Sequence, residues 1–151
     1  MWKNFTPQKI RPPHYFQALM VMATLLQLIF KPARMVGPIW LGAVIFTAGF
    51  TIMLCAVRLF GRHQTPVRHS EQPAAVVTEG LYRFTRNPMY VGVLLFLIGI
   101  GITIGTWPFV IVPVAMFLIL HFYFIPWEEK TMEKLFGEQY LAYKKRVRRW
   151  L

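Results

Sequence analysis

Two adjacent carboxylates, Glu128 and Glu129, stand where a wholly apolar run ends, in a chain with six acidic residues and no Asp. An apolar hairpin separates them from a second polar cassette, Gly80-Leu81-Tyr82-Arg83-Phe84-Thr85-Arg86-Asn87-Pro88-Met89-Tyr90. Carboxylates pair with amino groups or accept from ribose hydroxyls, aromatic rings hold a purine or a sulfonium, and an amide such as Asn87 reads polar edges. Brought to one membrane face, Tyr82, Asn87, Tyr90, Glu128 and Glu129, with Arg83 and Arg86 nearby, would line a pocket for a cationic or amphoteric small molecule beside a lipid-borne partner. The Glu pair also fits a plainer use, since acidic residues at a helix start are favoured by the macrodipole. His121, seven positions before Glu128 and so near the same helical face, is a candidate base, although a lone helical His more often bonds a neighbour.

The elements that must position these groups follow from hydropathy. The chain has 151 residues, of which 56% are hydrophobic, which suits one membrane-embedded domain. Apolar runs at Tyr15 to Phe30, Val36 to Phe60, Met89 to Gly105 and Trp107 to Trp127 predict four helices, each near or above the roughly 17 to 25 residues a span needs. The first, preceded by Pro12-Pro13, is expected to start in the interface. Asn87-Pro88 predicts the cap and first turn of the third, with the Asn87 side chain facing the cytoplasmic mouth. Beyond Trp127, Met132, Leu135, Phe136, Tyr140, Tyr143, Val147 and Trp150 recur at helical spacing among charges. This predicts an amphipathic helix lying on the membrane, bent at Gly137. The fold class is therefore all-α: an integral membrane protein of about four transmembrane helices plus a C-terminal amphipathic interfacial helix. Gly99, Gly101 and Gly105 lie in an apolar span with no strand before it, a pattern for close helix packing rather than a phosphate loop. The loop from Gly61 to Glu79, with Pro66 and Pro73, is expected to cover something.

The formal charge of +11 is confined to the segments between and after the apolar runs, which argues against nucleic-acid binding and for topology. Arg58, Arg62, Arg68, Arg83 and Arg86 share one loop; Lys130, Lys134, Lys144, Lys145, Arg146, Arg148 and Arg149 share the tail; the Gly105-Thr106 turn carries no charge. Loop, tail and both termini are thus expected on the cytoplasmic side, with Lys31 and Arg34 opposite in a near tie against Lys3, Lys9 and Arg11. Lys31-Pro32-Ala33-Arg34 after the first run is no cleavage site, so that run is expected to remain as an anchor. Cys55 is the single cysteine, which rules out an internal disulfide, and no His-x-x-x-His spacing supports a metal site.

Taken together, Gly80-Leu81-Tyr82, Arg86-Asn87-Pro88-Met89-Tyr90-Val91-Gly92, Glu128-Glu129, Phe136-Gly137, Tyr140, Tyr143 and Val147 resemble the integral-membrane methyltransferases, which include the isoprenylcysteine carboxyl methyltransferases and the phospholipid N-methyltransferases. The resemblance covers residues from about Ala74 onward and implies S-adenosylmethionine as cofactor at the cytoplasmic mouth. It implies that Ala74, Ala75, Val76, Val77, Tyr82, Asn87, Met89 and Tyr90 line the cofactor on one side and that Glu128 closes it on the other. Two departures bear on the acceptor. Asn87 stands where the carboxyl methyltransferases usually carry His, and Phe124 where they carry a substrate-orienting Arg. A lipid or other lipophilic amine is thereby favoured over a prenylcysteine carboxylate. An amine of pKa about 10.4 must lose a proton before it can attack, and Glu129 or His121 is expected to take it. The alternatives are a membrane NADPH-dependent reductase related to sterol reductases, disfavoured by chain size, and a non-enzymatic lipid-binding membrane protein. The small size suggests a bacterial inner membrane.

Overall fold

The computed structural model describes residues 11–35, 37–62 and 75–151, and the statements below concern those residues. Five helices follow in order: α1 (Pro12–Phe30), α2 (Ile39–Arg62), α3 (Pro88–Ile104), α4 (Trp107–Ile119) and α5 (Ile125–Arg146). A 3-10 turn, Gly80–Arg83, precedes α3, and a π-helical turn, Leu120–Phe124, joins α4 to α5. The expected all-helical membrane class holds. Pro12–Phe30, Ile39–Arg62 and the continuous Trp107–Arg146 are long and apolar enough to cross a membrane, and α3 is a shorter apolar helix. At 17 residues it spans about 25 Å, at the lower limit for a hydrocarbon core.

The helices neighbour one another in the order α2, α3, α4, α1. Small residues let α2 and α3 approach most closely, because a Cβ on Gly42, Gly49, Gly92 or Gly99 would meet the facing backbone. Gly101 likewise faces the Phe109 carbonyl, whereas Gly105 is the left-handed C-cap of α3, with φ 75°. Between α1, α3 and α4 the core is Ala23, Leu97, Phe109, Val112, Met116, Leu120, Phe124 and Ile125. The outer faces are apolar too: Val21, Leu28, Trp40, Ile111, Val114 and Phe122 are exposed, as helices solvated by lipid require.

Arg34 has a structural use that charge counting misses. Its guanidinium donates to the carbonyls of Ile102, Thr103 and Ile104 at the end of α3 and to Gly37, satisfying acceptors that a helix end leaves open. Met35 N–H donates to the Gly105 carbonyl at 2.7 Å, and Thr106 Oγ1 bonds Gln27 Oε1 at 2.7 Å. These contacts gather the end of α1, the start of α2 and the α3–α4 turn at one end of the bundle. Arg34→Ala is expected to destabilise the protein by about 1 kcal/mol, and Arg34→Lys by less. Thermal unfolding in detergent checks this, and equal melting of all three proteins contradicts it.

The amphipathic helix begins differently from expectation. No break occurs near Trp127; the chain stays helical from Trp107 through the π turn to Gly137, whose φ of 49° and ψ of −126° interrupt α5. Pro126 lacks the N–H of a regular turn, and the wider π turn just before it makes room for the ring. The residues after Trp127, Glu128 to Lys130 among them, are good helix formers, so nothing stops the helix there. Since about 20 residues cross a hydrocarbon core, the segment from Trp107 is used up near Trp127, and Glu128 onward lies outside the span.

Candidate active site

The two polar clusters meet at the end of the bundle opposite Arg34. Tyr90, in the first turn of α3, donates its hydroxyl proton to Glu128 Oε1 at 2.6 Å across 38 positions of sequence. Arg86 Nη2 lies 3.0 Å from Glu129 Oε1, and both side chains are more than nine-tenths buried. Tyr143 on α5 donates to the backbone carbonyl of Tyr82 at 2.7 Å. The apolar side of the site is a second small core, in which Val77 and Tyr82 bury against Ala56, with Leu59, Phe60, Leu81 and Met89 around them. Phe60 meets the Tyr82 ring edge to face at 5.3 Å. Ala75 and Val76 are half-buried on the approach to this cluster, and Ala74 lies outside the described residues.

The adjacent carboxylates have different surroundings. Glu128 is half-buried and accepts from Tyr90. Glu129 is held from both oxygens: Arg149 donates through Nε to Oε1 at 3.0 Å and through Nη2 to Oε2 at 2.8 Å, Arg86 reaches Oε1, and Lys144 lies 3.4 Å from Oε2 while bonding Glu133 at 2.7 Å. Burial raises its proton affinity, but the Arg149 hydrogen bonds and the charges of Arg86, Arg149 and Lys144 outweigh burial and hold the carboxyl below its ordinary value. A carboxylate so held is a weak base. Burial also pushes the Tyr82 hydroxyl well up, with Tyr143 and Glu128 adding to it. Tyr140 is pushed up to about 12 by burial and by Glu129. Both phenols therefore stay protonated at neutral pH.

Asn87 and His121 face partners in the chain itself. Asn87 is the N-cap residue of α3 without a side-chain cap bond; its Nδ2 donates instead to the Arg149 carbonyl at 2.9 Å, not toward an open mouth as expected. Thr85 Oγ1 donates to the same carbonyl at 3.1 Å and accepts from the Asn87 N–H at 3.2 Å. His121 Nδ1 accepts from Trp150 Nε1 at 2.9 Å, so the neutral ring carries its proton on Nε2. Its ring stacks on Phe117 at 5.4 Å. The sequence placed Thr85 in the polar cassette, Arg149 in the basic tail and Trp150 on the amphipathic face, but none of them in the site. The one available signal was the aromatic spacing that ends on Trp150. Phe124 is buried against Tyr15 in the main core, so no cation occupies that position.

The family model for phospholipid methyltransferases matches residues 38–139. The chain belongs to the phospholipid methyltransferase family. This match reaches back through α2, earlier than the motifs alone, and takes in the 3-10 turn, α3, α4 and α5 past the Gly137 kink. Among similar proteins, a probable protein-S-isoprenylcysteine O-methyltransferase of Oryza sativa subsp. indica is 32% identical over 113 residues, 72% of this chain and 58% of the relative. Protein-S-isoprenylcysteine O-methyltransferase B of Arabidopsis thaliana is 32% identical over 100 residues, 64% of this chain and 48% of the relative. The chain thus spans about half the length of the curated relatives it matches. No solved structure matches it. Within the family fold, the paired motifs converge on one end of the α3–α4 hairpin, with the Tyr90–Glu128 bond as their join.

Proposed function

We propose that this member of the phospholipid methyltransferase family transfers a methyl group from S-adenosylmethionine to a lipid or other lipophilic acceptor at the cytoplasmic membrane face. The observation that carries the reading is the Tyr90–Glu128 hydrogen bond, which joins both halves of the motif at one helix mouth beside the apolar cluster of Val77, Tyr82 and Met89. The donor set fits the cofactor: a half-buried carboxylate for an amino group or ribose hydroxyls, and an apolar, aromatic wall for a purine.

When bound, the cofactor supplies an electrophilic methyl on a sulfonium, and the protein's work is alignment and exclusion of water. Glu128, oriented by Tyr90, would hold the cofactor's polar end. Tyr82, Val77 and Met89 would keep the site dry. Glu129 is proposed as a positioning residue, because its oxygens are engaged by three cations. His121, with Nδ1 engaged by Trp150, is proposed to position as well. An amine acceptor would shed its proton on leaving water, since burial disfavours the ammonium.

Two acceptor classes compete. Buried Phe124 puts no cation where a substrate carboxylate would need one, which supports an amine-bearing lipid. The relatives' names favour a prenylated cysteine carboxylate. Titration of the purified protein with S-adenosylhomocysteine tests the cofactor, and labelled methyl transfer to phosphatidylethanolamine against a prenylcysteine tests the acceptor. Glu128→Gln is expected to weaken S-adenosylhomocysteine about tenfold or more, and Tyr90→Phe less. A well-folded protein with no saturable binding, or with equal binding in the Glu128→Gln variant, would reject this assignment.

A further inference from the structure

After α5 the chain turns extended at Val147, with φ −119° and ψ 134°, and runs across the mouth of the site. Three consecutive residues then bond to both sides of it. The Arg148 carbonyl accepts from the Arg86 N–H at 2.9 Å. The Arg149 carbonyl accepts from Thr85 Oγ1 and Asn87 Nδ2, while its guanidinium grips Glu129 through two hydrogen bonds. Trp150 donates to His121 and packs against Phe117 at a ring distance of 5.2 Å. The segment therefore ties the turn before α3, some sixty residues earlier in the sequence, to the α4–α5 segment.

The part of α5 beyond Gly137 is held by the burial of Tyr140 and Tyr143 and by polar bonds: Tyr143 to the Tyr82 carbonyl, and Lys144 to Glu129 and Glu133 earlier on the same helix. Gly137 itself, at φ 49° and ψ −126°, already breaks the helix in a backbone conformation that favours glycine. The strap residues also lie beyond the stretch that matches the family model, which ends at residue 139.

We propose that Arg148–Trp150 is a strap whose closure sets the site: Arg149 and Trp150 are positioning residues that hold Asn87, Glu129 and His121 in register, and strap closure and cofactor binding favour each other. This inference rests on the proposed cofactor reading. Reciprocity follows from linkage, since a ligand that prefers the strapped state must also hold the strap closed. Opening needs no unfolding of the core, because it breaks the strap's own polar bonds and lifts the half-buried Trp150 ring off Phe117.

Limited trypsin digestion followed by intact mass reads the strap directly, because Arg146, Arg148 and Arg149 are cleavage positions within or beside it. In the full-length protein in detergent without ligand, Trp150→Ala and Arg149→Gln are expected to speed loss of the strap peptide about tenfold. S-adenosylhomocysteine should slow cleavage in the wild type and leave Trp150→Ala about tenfold faster. The dissociation rate of S-adenosylhomocysteine should rise by a similar factor in both variants, with Trp150→Phe intermediate, because it keeps the ring contact and loses the N–H. Leu151→Ala, at an exposed position that bonds nothing described here, should behave as wild type. Equal cleavage of wild type and both variants overturns the strap. Faster cleavage with an unchanged dissociation rate overturns its coupling to the site. Wild type that cleaves slowly but never binds S-adenosylhomocysteine overturns the cofactor reading, and the coupling with it, while the ligand-free comparison still scores closure of the strap.

Discussion

Glu129→Leu should lower stability by about 3 kcal/mol or more, because it leaves Arg86 charged, buried and stripped of its anion. Arg86 Nε and Nη1 already have no hydrogen-bond partner, so Glu129 is what compensates this guanidinium. Lys144 and Arg149 are part-exposed, at 35% and 29%, and can turn to water, which keeps the loss toward the lower part of the range for broken buried pairs. Removing both charges with Glu129→Leu and Arg86→Met together should recover much of the loss, since an apolar pair of similar volume needs no desolvation. A double-mutant cycle by thermal or denaturant unfolding measures the coupling. A single mutant as stable as wild type would show that the cage carries no net stability. The pH dependence has a definite sign. The Glu129 pKa is lowered in the folded state, so its contribution is complete above the unfolded value of about 4.3 and is lost as pH falls through the lower folded value.

The second large effect belongs to the α2–α3 seam. A Cβ on Gly99 would stand 2.6 Å from Phe46 Cα and 2.7 Å from the Gly42 carbonyl oxygen; on Gly92 it would stand 2.7 Å from the Met53 nitrogen. These are backbone atoms, so no side chain can rotate away and the helices must separate. Gly99→Leu is therefore expected to cost about 3 kcal/mol or more, beyond ordinary overpacking, and to free α2, whose main partner is α3. Gly61→Ala, where nothing lies within 4 Å, should be neutral or stabilise by up to about 1 kcal/mol through helix propensity. Monodispersity on gel filtration and the melting temperature of the two variants separate the cases. Unchanged melting of Gly99→Leu would mean that the seam is looser than described.

The Glu pair shows why only part of the site was legible. Adjacent residues on a helix point about 100° apart, and the sequence Glu128-Glu129 does not say which one turns toward Arg86 and which toward Tyr90. The same holds for Asn87, whose type suits either a ligand or the backbone of Arg149, and for His121, whose partner Trp150 is 29 positions away. Arg34 looked like a charge setting orientation, and the fold uses it to end α3. By contrast, the helical class, the hairpin that returns Glu128 to Tyr90, and the packing role of Gly99 were readable, because hydropathy, turn residues and small-residue spacing act over a few neighbouring positions.

By itself, then, the sequence determined the membrane class, the run of helices and the two motifs that meet, since each depends on local composition and family pattern. Tertiary structure alone decided the cation cage on Glu129, the cap from Arg34 and the strap from Arg148 to Trp150. These bonds join residues up to some sixty or seventy positions apart, and such partners are chosen by how the helices dock, which no local pattern encodes.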